Sequence, residues 1–301
     1  MRILLFGCNG QVGWELQRSL APLGEVVALG SAGNDRFRGD FKDSAGVAET
    51  VRTLRPDAIV NAAAYTAVDR AESDVDGALQ VNALAPGAIA AAAAEVGACM
   101  VHYSTDYVFD GSGTQPWRED DATGPLSVYG RTKLEGERRI AAALPRHLIL
   151  RTSWVYAARG GNFAKTMLRL ARERDELKVV DDQVGAPTGA DLLADVTAHM
   201  LRALLRDAGK AGICHVAAAG ETSWHGYARF VLAQAQALGQ DLKAGPAQVL
   251  PVPGSAFPSP ARRPHNSRLA TTRLAQAFDL RMPPWQEGVA RMLQEYLGRS
   301  S

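Results

Sequence analysis

The chain has 301 residues, with 33 Lys and Arg against 32 Asp and Glu for a net charge of +1, and is 47% hydrophobic and 22% charged. At ~150 residues per domain this allows one large domain or two modest ones, each with room for a core. The charge balance lacks the basic excess of a nucleic-acid binder. No charge-free apolar run approaches the ~18 residues of a membrane span, so neither nucleic acid nor membrane is an expected partner.

A strand starting at Arg2 leaves no room for a cleaved leader. Cys8, Cys99 and Cys214 are scattered and odd in number, which suits a reducing cytoplasm rather than disulfides or zinc. The six histidines show no metal-ligand spacing.

In chain order, the first half predicts strands at 2–6, 26–29, 58–61, 100–104 and 147–151, and helices at 11–21, 44–54, 75–96 and 129–144. The strands are continuously apolar, as expected when both faces are covered. Alternation of strand and helix implies parallel strands with right-handed crossovers. The second half predicts further strands at 178–180 and 213–216, a helix at 191–206 between them, and a helix from Trp224 to about Leu238. A Pro-rich stretch follows at 245–264, then a last helix at 284–297. The expected fold is α/β: a Rossmann-type doubly wound parallel sheet with a smaller C-terminal substrate-binding domain. Residues 1–153 would form the dinucleotide-binding domain, and 154–301 mainly the substrate-binding domain, interleaved with the final sheet strands.

Gly7-Cys8-Asn9-Gly10-Gln11-Val12-Gly13 follows the first strand and opens the first helix. Gly7, Gly10 and Gly13 would permit a tight turn, close approach of a pyrophosphate, and packing of helix on sheet. The free N–H groups and the dipole of the helix would face the anion. A Gly-rich turn without a ligand is the bland alternative. The second strand ends Leu29-Gly30-Ser31 without the carboxylate that favours NAD, while Arg36 and Arg38 follow and could meet a 2′-phosphate, with merely solvated side chains as the alternative for each. Asp40-Phe41 falls where a loop would hold the adenine edge. NADPH is therefore expected to serve at least as well as NADH.

Tyr129 and Lys133 lie four residues apart, on one face of a helix. A phenol near pKa ~10 trades protons poorly at neutral pH, and a neighbouring ammonium favours its phenolate. The pair can protonate a carbonyl oxygen as hydride reaches its carbon. Thr105 ends a central strand, where sheets of this type place their chemistry, although Thr at a strand end also follows from β-propensity alone.

Together the glycine loop, Asn61-Ala62-Ala63-Ala64, the hydroxyl residue and Tyr-x-x-x-Lys resemble the extended short-chain dehydrogenase/reductase superfamily. Five longer segments (7–16, 61–69, 104–111, 151–156 and 182–188) and Arg263-Pro264 resemble the dTDP-4-dehydrorhamnose reductase family over essentially the whole chain. The resemblance implies pyrophosphate contacts at Gly10, Gln11 and Val12, adenosine contacts at Asp40 and Phe41, and further cofactor contacts at Ala63, Ala64 and Tyr65. It implies Tyr129 as proton donor, Lys133 as its partner and ribose contact, Thr105 as tuner of the proton transfer, and a sugar site lined by Thr105, Asp106 and Trp154. It allows a homodimer. Some members use Mg2+ through acids aligned with Glu15, Asp191 and Glu295. The shorter Asp at 191 argues against it here, and surface carboxylates are the expectation for all three.

The implied activity is reduction of a 4-keto-6-deoxy nucleotide sugar by NADPH or NADH. A 4,6-dehydratase would carry Thr-Asp-Glu where this chain has Thr105-Asp106-Tyr107, and so lacks its second carboxylate. A related ketoreductase or epimerase, or a non-catalytic regulatory subunit that binds NADP, are the remaining alternatives. Trp154 reads either as core or as a surface for a sugar or base to stack on, and the resemblance tips it to the latter. Arg262-Arg263-Pro264-His265 reads first as a solvated loop, with substrate diphosphate binding as the alternative.

Overall fold

The computed structural model describes residues 1–298. A six-stranded parallel sheet runs in the spatial order Gly212–His215, His147–Thr152, Cys99–Thr105, Ala58–Asn61, Arg2–Phe6, Glu25–Leu29. Along the first strand, Ile3 and Leu5 join one buried cluster and Leu4 and Phe6 another, because successive side chains leave a strand on opposite faces. Both faces are covered, hence the unbroken apolar runs. The helices Gln11–Leu20 and Ala190–Arg206 pack together on one side, and Ser44–Leu54 packs with Ala85–Val96 on the other. The strand order reverses between the first and third strands, which opens a crevice at their C-terminal ends.

The predicted strand at 178–180 forms, but it leaves the main sheet. Leu177–Val180 pairs in parallel with Val249–Val252, a strand inside the Pro-rich stretch 245–264, where the sequence predicts none. Pro251 is tolerated there because this two-stranded sheet leaves it on an edge. Only Gly212–His215 returns to the central sheet. Among the described residues Glu25–Leu29 pairs only with Arg2–Phe6, so it forms an edge of the sheet. A separate core gathers Tyr156, Met167, Leu177, Tyr227, Val231, Trp285 and Leu293 from the second half.

The 75–96 helix corrects two expectations. It is interrupted by a π turn at Gln80–Leu84. With 22 residues at a mean hydropathy of 1.3 it is also long and apolar enough to span a membrane, but half of that window is buried inside the protein. Its alanine-rich end faces the Ser44–Leu54 helix, where small side chains let two helices approach.

Candidate active site

The phosphate loop has the geometry its glycines require. Gly7 sits at φ +81°, and a Cβ there would lie 2.5 Å from the Ala63 nitrogen. A Cβ on Gly13 would lie 2.0 Å from the Gly7 oxygen. Gly10 is the N-cap of Gln11–Leu20 and gives the helix no side-chain cap, so its first N–H groups face the exposed loop unpaired by protein. This cradle, open to an anion and closed to side chains, fits a dinucleotide pyrophosphate. Val12 packs half-buried against the sheet. Gln11 accepts a hydrogen bond from Asn162 of the second half at 3.2 Å.

Around the edge strand, Asp40 is exposed while the Phe41 ring is buried edge-on against Phe6, 5.3 Å between centroids. Phe41 therefore serves the core with its ring and can offer a cofactor only its backbone. Arg36 and Arg38 are both exposed. A Cβ on Gly30 would meet the Asn9 amide at 2.4 Å, so Asn9 fills the place of the absent acid.

Ala63, Ala64 and Tyr65 continue the Ala58–Asn61 strand into the crevice. Asn82, buried within the π turn, fixes them: its Oδ1 accepts from the Tyr65 N–H at 2.8 Å and its Nδ2 donates to the Tyr65 carbonyl at 3.1 Å. The Tyr65 hydroxyl donates to Asp74. The sequence reading did not single out Asn82.

Thr105 ends the central strand and Tyr129 lies in the first turn of Val128–Ala143, whose N-cap Ser127 accepts from the Gly130 N–H. A Cβ at Gly130 would lie 2.2 Å from the Tyr107 oxygen, and this close approach seats the helix against the strand end. Burial pushes the Tyr129 phenol up to about 12, hydrogen bonding with Thr105 pulls it back, and the Asp106 carboxylate adds to the rise. The Thr105 hydroxyl donates to Asp106 at 3.0 Å. The Lys133 Nζ donates to the Tyr103 carbonyl at 2.6 Å and lies 3.1 Å from His102 Nε2. Burial pushes Lys133 down to about 8.

Asp106 is 2% exposed, and burial raises its carboxyl to about 6 against the weaker pull of hydrogen bonds from Ser267 and Thr105. Next to it, the Tyr107 ring stands edge-on to Tyr129 at 5.5 Å and lines a cavity of about 580 Å3. Lys178, Arg262, Arg263 and His265 also face that cavity, so most of the predicted basic loop borders a concave surface. Arg263 bridges to Asp69 at 2.6 Å, tying the second half to the helical turn Val68–Ala71 that follows Tyr65.

Trp154 has φ +49°, a conformation that costs a non-glycine residue energy and gathers at functional sites. It stacks on Trp224, 3.6 Å between centroids and 14° between planes, and Trp224 rather than Trp154 lines the cavity. The sequence noted Trp224 only as a helix start. Glu15, Asp191 and Glu295 surround a second cavity of about 310 Å3. Glu15 pairs with Arg18 and Asp191 with Arg291, and among the described residues no group of three or more His, Cys, Asp or Glu side chains is arranged to hold a metal ion. With guanidinium groups beside two of the three acids, these residues as placed do not fit Mg2+.

Residues 1–297 match the family described as RmlD substrate binding domain. Over 295 residues the chain is 57% identical to the dTDP-4-dehydrorhamnose reductase of Escherichia coli, covering 98% of each. It superposes on the crystal structure of a dTDP-4-dehydrorhamnose reductase from Clostridium acetobutylicum with a TM-score of 0.89 and 37% identity, over 99% of this chain and 100% of that one. The corresponding enzyme from Bacillus anthracis, crystallised in complex with NADP, gives 0.86 and 34%, over 98% and 99%.

Proposed function

The chain belongs to the RmlD substrate-binding family, and on that premise we propose that it reduces dTDP-4-dehydro-β-L-rhamnose to dTDP-L-rhamnose, the last step of dTDP-L-rhamnose synthesis. NADPH or NADH, when bound, supplies the hydride for C4 of the sugar. The glycine cradle and the uncapped helix hold its pyrophosphate, and the loop 63–65 borders its middle. Tyr129, whose burial keeps the phenol protonated at neutral pH, gives its proton to the emerging alkoxide. Thr105 sits between that phenol and Asp106 and steadies the transfer.

Lys178, Arg262 and Arg263 face the larger cavity beside Tyr107 and suit the diphosphate of the nucleotide. The Trp154–Trp224 stack suits a flat base or a sugar face. We take the division near residue 153 as the boundary between cofactor-binding and sugar-binding parts. We place the enzyme in the cytoplasm, where Cys8, Cys99 and Cys214 stay free.

The observation that carries this reading is the meeting of Thr105 and Tyr129 at the C-terminal end of the central strand, beside a phosphate cradle. The test is loss of reduced-nicotinamide absorbance with dTDP-, UDP- and GDP-linked 4-keto-6-deoxy sugars. Turnover of the dTDP sugar, with dTDP-L-rhamnose as product, is expected; failure across all three series overturns the substrate assignment.

A further inference from the structure

Behind the active site runs a buried chain of polar groups in which His102, not used in the sequence reading, links Asn61 to Lys133. Asn61, His102 and Lys133 are 0%, 0% and 2% exposed. Asn61 Oδ1 accepts the Ala63 N–H at 2.9 Å. That bond orients the amide, because the other orientation would set its NH2 against a backbone N–H. Asn61 Nδ2 then points at His102 Nδ1, 2.9 Å away, and must donate to it. A neutral imidazole that accepts at Nδ1 carries its proton at Nε2. That proton faces Lys133 Nζ at 3.1 Å. An ammonium has no lone pair to receive it, whereas an amine has one.

We propose that His102 is a positioning residue for Lys133: locked by Asn61 as the Nε2–H tautomer, it holds Lys133 against the strand as a neutral amine and lets go when Lys133 takes up a proton. Released, the side chain is an ammonium one turn along the helix from Tyr129, so the proton on Lys133 decides whether the lysine is fixed or free.

The surroundings act in the same direction. Burial holds His102 well below its ordinary value, so the imidazole stays neutral whichever form Lys133 takes. Burial likewise brings Lys133 down to about 8. The groups facing Lys133 from its own helix are Tyr129 and Glu137. Glu137 favours the ammonium, but both its oxygens are engaged by the Arg151 guanidinium from the next strand. The strand Cys99–Thr105 presents His102, the Tyr103 carbonyl and Ser104, and Asn61 and Asn82 are uncharged. A role in turnover rests on the reductase reading, whereas the titration and the tautomer do not.

Six lysines make 13Cε labelling tractable. In the full-length protein, the Lys133 signal, assigned by its loss in Lys133→Met, should titrate about two pH units below the others. Long-range 1H–15N spectra of the histidines should show His102 protonated at Nε2. In His102→Gln, where the amide oxygen can accept from an ammonium, the Lys133 midpoint should rise by about one pH unit or more, and the matching limb of the kcat/KM profile should move with it. A His102 proton on Nδ1, or an unmoved Lys133 midpoint in folded His102→Gln, overturns the proposal. If that variant does not fold, the wild-type tautomer decides alone. A failure to turn over any keto-sugar would leave these spectra unchanged and would count against the reductase reading only.

Discussion

Arg151 grips Glu137 with two hydrogen bonds of 3.0 and 2.7 Å, and each side chain is only 3% exposed. Ser104, the residue before Thr105, donates to the same carboxylate, so this pair anchors the strand end that carries the chemistry. Breaking a buried pair leaves an uncompensated charge, at a cost of about 3–5 kcal/mol. Glu137→Gln should lose that much in urea unfolding, and Glu137→Gln with Arg151→Met should recover part of it. Equal stability of the single variant and wild type would show that the pair is not under load.

Tyr129→Phe removes one oxygen and leaves the ring in its edge-on contact with Tyr107. Loss of a general acid costs about 10²- to 10⁴-fold in rate, so kcat should fall by that range while NADPH affinity, read by fluorescence titration, stays within twofold or so. An unaffected kcat would remove Tyr129 from the proton step.

Asp106 predicts a pH dependence of stability. Its folded pKa, about 6, lies above the ordinary value of 3.8, so the native state binds the proton more tightly than the unfolded chain. The stabilisation is complete below about pH 4 and is lost as pH rises through 6, amounting to roughly 2–3 kcal/mol. Asp106→Asn is uncharged throughout, so its Tm relative to wild type should climb between pH 4 and 7. A constant offset across that range rejects the account.

Arg36 and Arg38 are exposed beside a second strand that ends without an acid, and the preference for NADPH is expected to rest on them. Arg38→Ala should lower kcat/KM for NADPH about tenfold, the value of one charge-assisted contact, and leave NADH nearly unchanged. Wild-type enzyme that strongly prefers NADH would contradict the assignment.

How far the sequence shows this molecule depends on where the information lies. The five strands of the first half are evident because each centres on a short, largely apolar run, as in Arg2–Phe6, whose two faces are covered. The family resemblance, carried by segments such as 104–111 and 182–188, is borne out by the matches along the whole chain. The Leu177–Val180 and Val249–Val252 pairing is hidden, since two short strands 69 residues apart, one holding Pro251, carry no local mark of partnership. The helix Phe163–Glu173 went unread although Ala164, Met167, Leu168 and Ala171 recur at helical spacing on its buried side. His102 and Trp224 could be suspected only as a histidine inside an apolar strand and a tryptophan at a helix start. Their partners, Lys133 and Trp154, come from distant parts of the chain. Spacing alone puts Lys133 one turn from Tyr129 but does not show that its Nζ meets the Tyr103 carbonyl and His102.

The widened turn at Gln80–Leu84 has a consequence for how this protein can change. One surplus residue rotates everything after it by about a quarter-turn relative to everything before, so the two halves of that helix answer to different neighbours. Deleting a single amino acid there would give a more regular helix and a worse protein: Asn82 would swing off the Tyr65 backbone, and the alanine-rich half would lose its match to the neighbouring helix.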